Sequence, residues 1–354
     1  LPWSAGRAGR ETVGKRIVYL DAIRCLAMFL VIVLHTIAPV IIQTGVYGTA
    51  SWAFCMGLDG INRMGVPLFF MISGYLMLSR PSTGDVRAFY RKNLPKLLIP
   101  LAVWNVVYFL EQVWRGRAEP ALTAFLGELL DQGSGYHMWF IYVLLGIYLV
   151  TPFLKRMVER CNARELVWLI VLIMLPTTFR NLANQLQQTV YVYLFSPMLE
   201  GFLGYFLLGY WLGTHRLGRR GRWVLYLLGI TGYLWGTAGN LFTASPEGIP
   251  LPYDNNYVLT HYLCSAAAFV WVQTLFERHE RRLTPLDVPL AKGSELSFGV
   301  YWVHVLILNA VTDWIGSEAS VAEYVAIRLT GTVFLALVFA AVVSRIPLVR
   351  KLLM

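Results

Sequence analysis

YLDAIRCLAMFLVIVLHTI, residues Tyr19 to Ile37, is an apolar run that carries an acid, a base and a histidine. At about 3.6 residues per turn, Arg24 and His35 are separated by three turns with a small angular remainder. They project from one face of a helix, about 16 Å apart along its axis. Asp21 shares that face. Ionisable groups aligned on one stripe of a membrane helix are expected to line the inside of a bundle, because lipid excludes them. The alternative leaves Asp21 and Arg24 among headgroups, with Arg24 snorkelling, and makes His35 a hydrogen-bonded core histidine.

Composition agrees with a membrane location. Of 354 residues, 57% are hydrophobic and only 14% charged, against about a quarter charged in soluble domains. Mean hydropathy is +0.56. The net charge of +10 would suggest nucleic acid in a soluble protein, but here its distribution follows the membrane. Cys25, Cys55, Cys161 and Cys264 have no paired or metal-ligand spacing, so neither a disulfide framework nor a metal is expected. The first apolar segment is too long for a signal peptide and lacks a small-residue cleavage site.

Working outward, residues 1–16 read as a flexible cytoplasmic arm, 17–345 as the membrane domain and 346–354 as a short cytoplasmic tail. Runs of about 20 apolar residues fall near 18–42, 52–79, 95–113, 138–154, 165–179, 196–213, 222–242, 257–276, 296–315 and 321–343. The expectation is an all-α polytopic membrane protein with ten transmembrane helices around a polar cavity. The second run is overlong, and a kink is expected near Pro67. Residues 118–132 and 181–195 read as short surface segments.

Arg115, Arg117 and Arg180 are the basic residues of one set of loops, and Arg24, Arg63 and Arg328 lie within apolar runs. The rest of the 30 Lys and Arg fall at the other side or the termini. The positive-inside rule therefore places both termini in the cytoplasm. Arg24 is then near the cytoplasmic face, Arg63 near mid-membrane, His35 in the outer half, and Glu200, His261 and Arg328 in the outer third. Ser297, Tyr301 and His304, at spacings of four and three, form a polar stripe on another outward-running helix. So many polar groups in one half argue for a cavity, although each alone could tie helices together.

Helix one, YLDAIRCLAMFLVIVLH, resembles the opening signature of acyltransferase family three, the bacterial integral-membrane O-acyltransferases. That signature is an Arg, ten residues, then a His regarded as catalytic; Arg24 and His35 match it. The resemblance continues through GVPLFFMISGYLML (Gly65–Leu78), HMWFIYVLLGIYLVTP (His137–Pro152), GYFLLGYWLG (Gly204–Gly213) and SFGVYWVH (Ser297–His304). The HMWF block and the short chain are most similar to the branch containing the enterobacterial common antigen O-acetyltransferase. The family commonly carries an Arg-x-x-Arg pair in the loop after helix two. Here FYRKNLPKLLIP puts Asn93 and Lys96 at that spacing, beside Arg91 and Lys92.

The resemblance implies an inner-membrane enzyme that takes an acyl group from acetyl-CoA, without a metal, and passes it to a hydroxyl of a surface glycan or lipid-linked precursor. That chemistry needs a base for the hydroxyl proton, donors for the oxyanion and cations for the nucleotide end of coenzyme A. Histidine titrates near neutrality, so His35 suits the base. Asp21 is too far along the helix to orient it, which excludes a Ser-His-Asp arrangement; Glu200 or Asn62 are candidate partners, and His304 is a second catalytic candidate. Arg24 lies on the donor's approach, while Arg91, Lys92 and Lys96 suit its phosphates. Arg63, His137 and Trp139 are candidates for acceptor binding, Trp139 through an aromatic face. The rival reading, a transporter or flippase of a lipid-linked sugar, would use the same cavity as its pathway.

Overall fold

In the computed structural model, residues 16–185, 201–245, 253, 255–315 and 319–354 are described. Nearly all of the arm expected at 1–16, and most of the surface segment expected at 181–195, lie outside them. Among the described residues are fifteen α-helices and no β-strand. In chain order α1 is Val18–Ile42, α2 Ala50–Asn62, α3 Gly65–Leu78, α4 Val86–Asn93, α5 Pro95–Trp114, α6 Leu122–Asp131, α7 Trp139–Val158 and α8 Ala163–Gln185. They are followed by α9 Phe202–Thr214, α10 Arg219–Thr243, α11 Leu259–Arg278, α12 Glu280–Leu283, α13 Asp287–Trp314, α14 Val321–Ser344 and α15 Pro347–Leu353.

Helix starts follow local chemistry. Thr49 caps α2 by accepting from the Trp52 amide, and Asp85 caps α4 by accepting from the Ala88 amide at 3.0 Å. Ser320 and Glu323 form a reciprocal capping box on α14. Each satisfies amides that the first turn leaves without an intrahelical acceptor. The second apolar run breaks at Arg63–Met64 rather than at Pro67. Pro67 is the third residue of α3, where its missing N–H removes no helical bond.

The expectation of ten membrane helices is not met. Among the described residues, seven stretches are long and apolar enough to cross: Val18–Ile42, Ala50–Leu78, Val86–Trp114, Trp139–Val158, Leu259–Arg278, Glu280–Trp314 and Val321–Ser344. The other three runs fail for different reasons. α9 has only 13 residues, too few for a hydrocarbon core about 30 Å thick. In α8, the apolar stretch between Glu165 and Arg180 is shorter than a span. α10 opens with Arg219, Arg220 and Arg222, then alternates aliphatics with glycines, tyrosines and tryptophans that lower its hydropathy.

α1 is central. It runs parallel to α13 and also packs on α2, α3, α14 and α11. α3 and α9 are pressed together: a Cβ at Gly74 would overlap the Phe206 backbone, and one at Gly209 the Met71 backbone. Phe70 and Phe202 stack there at 4.6 Å. The outward faces of α10 and α14 are apolar too, with Leu227, Ile230, Leu234, Phe334, Val338 and Val342 exposed, as a lipid-facing surface requires. The residues read as a tail form α15, which turns back along α5: Trp104 Nε1 donates to the Leu353 carbonyl at 3.1 Å.

Candidate functional site

Parallel packing of α1 on α13 brings two stripes into register. At one end Arg24 Nη1 donates to Ser294 Oγ at 3.2 Å. At the other the rings of His35 and His304 lie 5.4 Å apart. Between them Ser297 donates to the Ser294 carbonyl, and Tyr301 donates across to the carbonyl of His137 at 3.0 Å. Helical periodicity alone therefore carries the polar face of α1 from one end of the site to the other.

His304 is fully buried. Its Nδ1 is 2.6 Å from the Tyr301 carbonyl, which can only accept, so Nδ1 carries the proton. In the neutral imidazole Nε2 is then the acceptor nitrogen, and it is buried without a hydrogen-bond partner. His137, in the segment between α6 and α7, brings a third imidazole to within 5.0 Å of His304. Neither of its buried ring nitrogens has a partner. Burial, and then the neighbouring His304 and His35, hold His137 well below the ordinary histidine range, so it is neutral at pH 7. Tyr136, more than half exposed, stands edge-on to His35 at 5.1 Å.

Two arginines flank this cluster, and their charges act on His35. Arg63 is compensated: its Nε donates to Asp59 Oδ2 at 3.1 Å within a single helical turn. Asp59 Oδ1 and Asn62 Nδ2 remain buried without partners. Arg328 is 3% exposed and donates from Nη1 to the Thr36 carbonyl at 2.8 Å, next to His35. Tyr324 lies 5.0 Å beneath its guanidinium. Its Nε is unpartnered, and among the described residues no carboxylate pairs with it.

Of the residues singled out from sequence, His35, His304 and His137 converge on one point. Arg24 lies on the same face at the far end. Arg91 and Lys92 in the last turn of α4, and Lys96 in the first turn of α5, are exposed near one another. Trp139 is half-buried and packs on Phe202 at 5.3 Å, so its ring belongs to the aromatic core. Glu200 lies outside the described residues. Sequence reasoning misses Tyr136, because a loop residue between Gly135 and His137 carries no periodic signal. Among the described residues, no cluster of His, Cys, Asp and Glu is arranged to hold a metal ion.

These features sit within one sequence family. The profile for an acyltransferase domain matches residues 17–346, nearly the entire chain. The chain belongs to that acyltransferase family. It is accordingly a multi-pass membrane protein of the acyl-transferring class. No curated protein and no solved structure matches it.

Proposed function

We propose that this acyltransferase moves an acetyl group from acetyl-CoA to a hydroxyl of a surface glycan or its lipid-linked precursor, in a bacterial inner membrane, with His35 as general base. The observation that carries the reading is the meeting of His35 with His304 inside the bundle. Nε2 of His304 and both ring nitrogens of His137 are buried there without hydrogen-bond partners. His35 takes the acceptor's proton as its oxygen attacks the thioester carbonyl; the C–S bond breaks and coenzyme A leaves as the thiol. Arg24, on the same helix face, steers the donor toward His35. Arg91, Lys92 and Lys96 bind the donor's phosphates through charge-assisted hydrogen bonds. His137, Tyr136 and Arg63 contact the acceptor.

The test is coenzyme A release from acetyl-CoA by purified protein in vesicles, with and without glycan acceptors, alongside the melting temperature of the same preparation. Wild-type protein is expected to release coenzyme A, and His35→Ala to lose that release while melting normally. Absence of any acetyl-CoA binding or cleavage would favour a lipid-linked sugar transporter. Cleavage of succinyl-CoA in preference to acetyl-CoA would move the donor assignment and leave the class intact.

A further inference from the structure

We infer that α6 is an in-plane helix whose leucine stripe is immersed in the acyl layer of the leaflet nearer His137, forming a membrane-seated support for the loop that carries Tyr136 and His137. Only the membrane location of the chain is needed for this, not the acetyl-transfer chemistry. α6 has 10 residues, about half of what a span requires.

Its faces are sorted by neighbour. At about 100° per residue, Phe125, Glu128 and Leu129 share the sector turned to the protein. Phe125 meets Phe109 at 5.2 Å, Glu128 accepts from Gln112 at 3.0 Å, and Leu129 is partly buried. Leu122, Leu126 and Leu130 fall on the adjoining sector and are 71%, 43% and 83% exposed. The remaining sector holds Thr123, Gly127 and Asp131, also exposed but polar, small or charged. An apolar stripe beside a polar one on a short helix is the pattern of an interfacial element.

The occupant of the leucine face follows from continuity with the lipid belt. α5 ends just before α6 and exposes Val106, Leu110 and Trp114 at four-residue spacing along its outward side. Trp314, at the end of α13, is 79% exposed as well. Exposed tryptophans at the ends of two membrane helices mark the interfacial level, and α6 follows one of them.

The far end of α6 is joined to the site. The Gly133 amide bonds back to the Glu128 carbonyl, and Gly133 turns the chain with φ +87°. Asn105 Oδ1 then accepts from the Ser134 amide at 2.8 Å, and Gln112 donates to the Ser134 carbonyl at 2.6 Å. Three residues on is His137. A displacement of α6 along the bilayer normal would thus pull directly on the imidazole that touches His304.

The native chain, reconstituted in phosphatidylcholine vesicles containing a phospholipid with a diazirine in its acyl chain, can be irradiated and its adducts mapped. Adducts are expected on Leu122, Leu126 and Leu130 and not on Thr123, Gly127 or Asp131, with Leu110 of α5 as the lipid-facing control. An unlabelled α6 beside a labelled Leu110 overturns the inference. Spin labels placed singly from position 122 to 131 give a second measurement. Oxygen collisions should exceed those of a water-soluble nickel chelate at the three leucine positions, and the reverse should hold at 123, 127 and 131. Leucine positions shielded from both reagents would mean that protein covers this face, and positions open to the chelate that water does; either result overturns it.

Discussion

The two ends of the α1–α13 pair differ in how their polar groups are satisfied. At the Arg24 end two carboxylates answer Arg16, while Arg24 itself meets a neutral hydroxyl. Arg16 donates to Asp21 at 2.6 Å and to Glu295 at 2.7 Å, and those carboxylates raise its already high pKa. Arg24 meets Ser294. At the His35 end polar atoms are buried and left open: both nitrogens of His137, Nε2 of His304 and Nε of Arg328. An unpaired buried polar group costs about 1–3 kcal/mol, and an arginine at the centre of a membrane helix about 2.5–3.5 kcal/mol on insertion scales. Arg16 ties Asp21 of α1 to Glu295 of α13, whereas the His35 end keeps buried nitrogens that no described group satisfies.

The strongest way to break this contrast is at His35. His35→Ala should lower turnover by about 10²–10⁴-fold and leave the melting temperature within error. Normal turnover per folded molecule, with a lower melting temperature, would make His35 a packing residue. Next in size is the donor surface. Replacing Arg91, Lys92 and Lys96 together with alanine should raise the apparent KM for acetyl-CoA by at least about tenfold, since each charge-assisted contact contributes about 1.5–3 kcal/mol. An unchanged KM would send the phosphates to another loop, with Arg219, Arg220 and Arg222 the next to test.

Arg328 sharpens the comparison further. Because no carboxylate among the described residues pairs with it, Arg328→Gln should reduce turnover by about tenfold without lowering the melting temperature. Asp21→Asn should do the reverse, costing about 1 kcal/mol of stability, a modest value because Arg16 is half exposed, with turnover kept. Exchange of these two phenotypes would reverse the roles assigned to the two ends.

The smallest effect is one of pH. His137 has its folded pKa depressed by burial, so below about pH 6.5 the unfolded chain binds more protons than the folded one. Stability therefore rises with pH up to that point and falls as acid is added. His137→Asn should flatten the acid limb of a melting-temperature profile in detergent. An unchanged limb would place its cause elsewhere.

Much of the fold can be read from apolar periodicity. The run at 18–42 is α1, Val18–Ile42, and the run at 321–343 is α14, Val321–Ser344. Hydropathy reads apolar content well and span length poorly. The run at 196–213 leaves only the short α9 among the described residues, and α10 is diluted by glycine and aromatic residues. In the site, Arg24, His35 and His304 are visible because each lies on a helical stripe. The approach of His137 to His304, and of Tyr136 to His35, depends on how a non-helical segment folds over the bundle. No spacing encodes that. The pairing of Arg63 with Asp59 is a four-residue helical neighbour that spacing does encode, whereas Arg328 finds Thr36 across the whole chain.

The register of α1 on α13 works as a length gauge. Eleven residues from Arg24 to His35 face ten from Ser294 to His304, so the direction in which each end points is set by the residue count along its own helix. Substitutions that keep the volume of the buried side chains between the marks, such as Val31 and Val300, leave both contacts in register. One residue inserted between Ser294 and His304 would swing His304 by about 100° and shift it by about 1.5 Å, detuning one end from the other without removing a single functional group. Volume-conserving substitution and single-residue insertion should therefore differ sharply in effect on this stretch of chain.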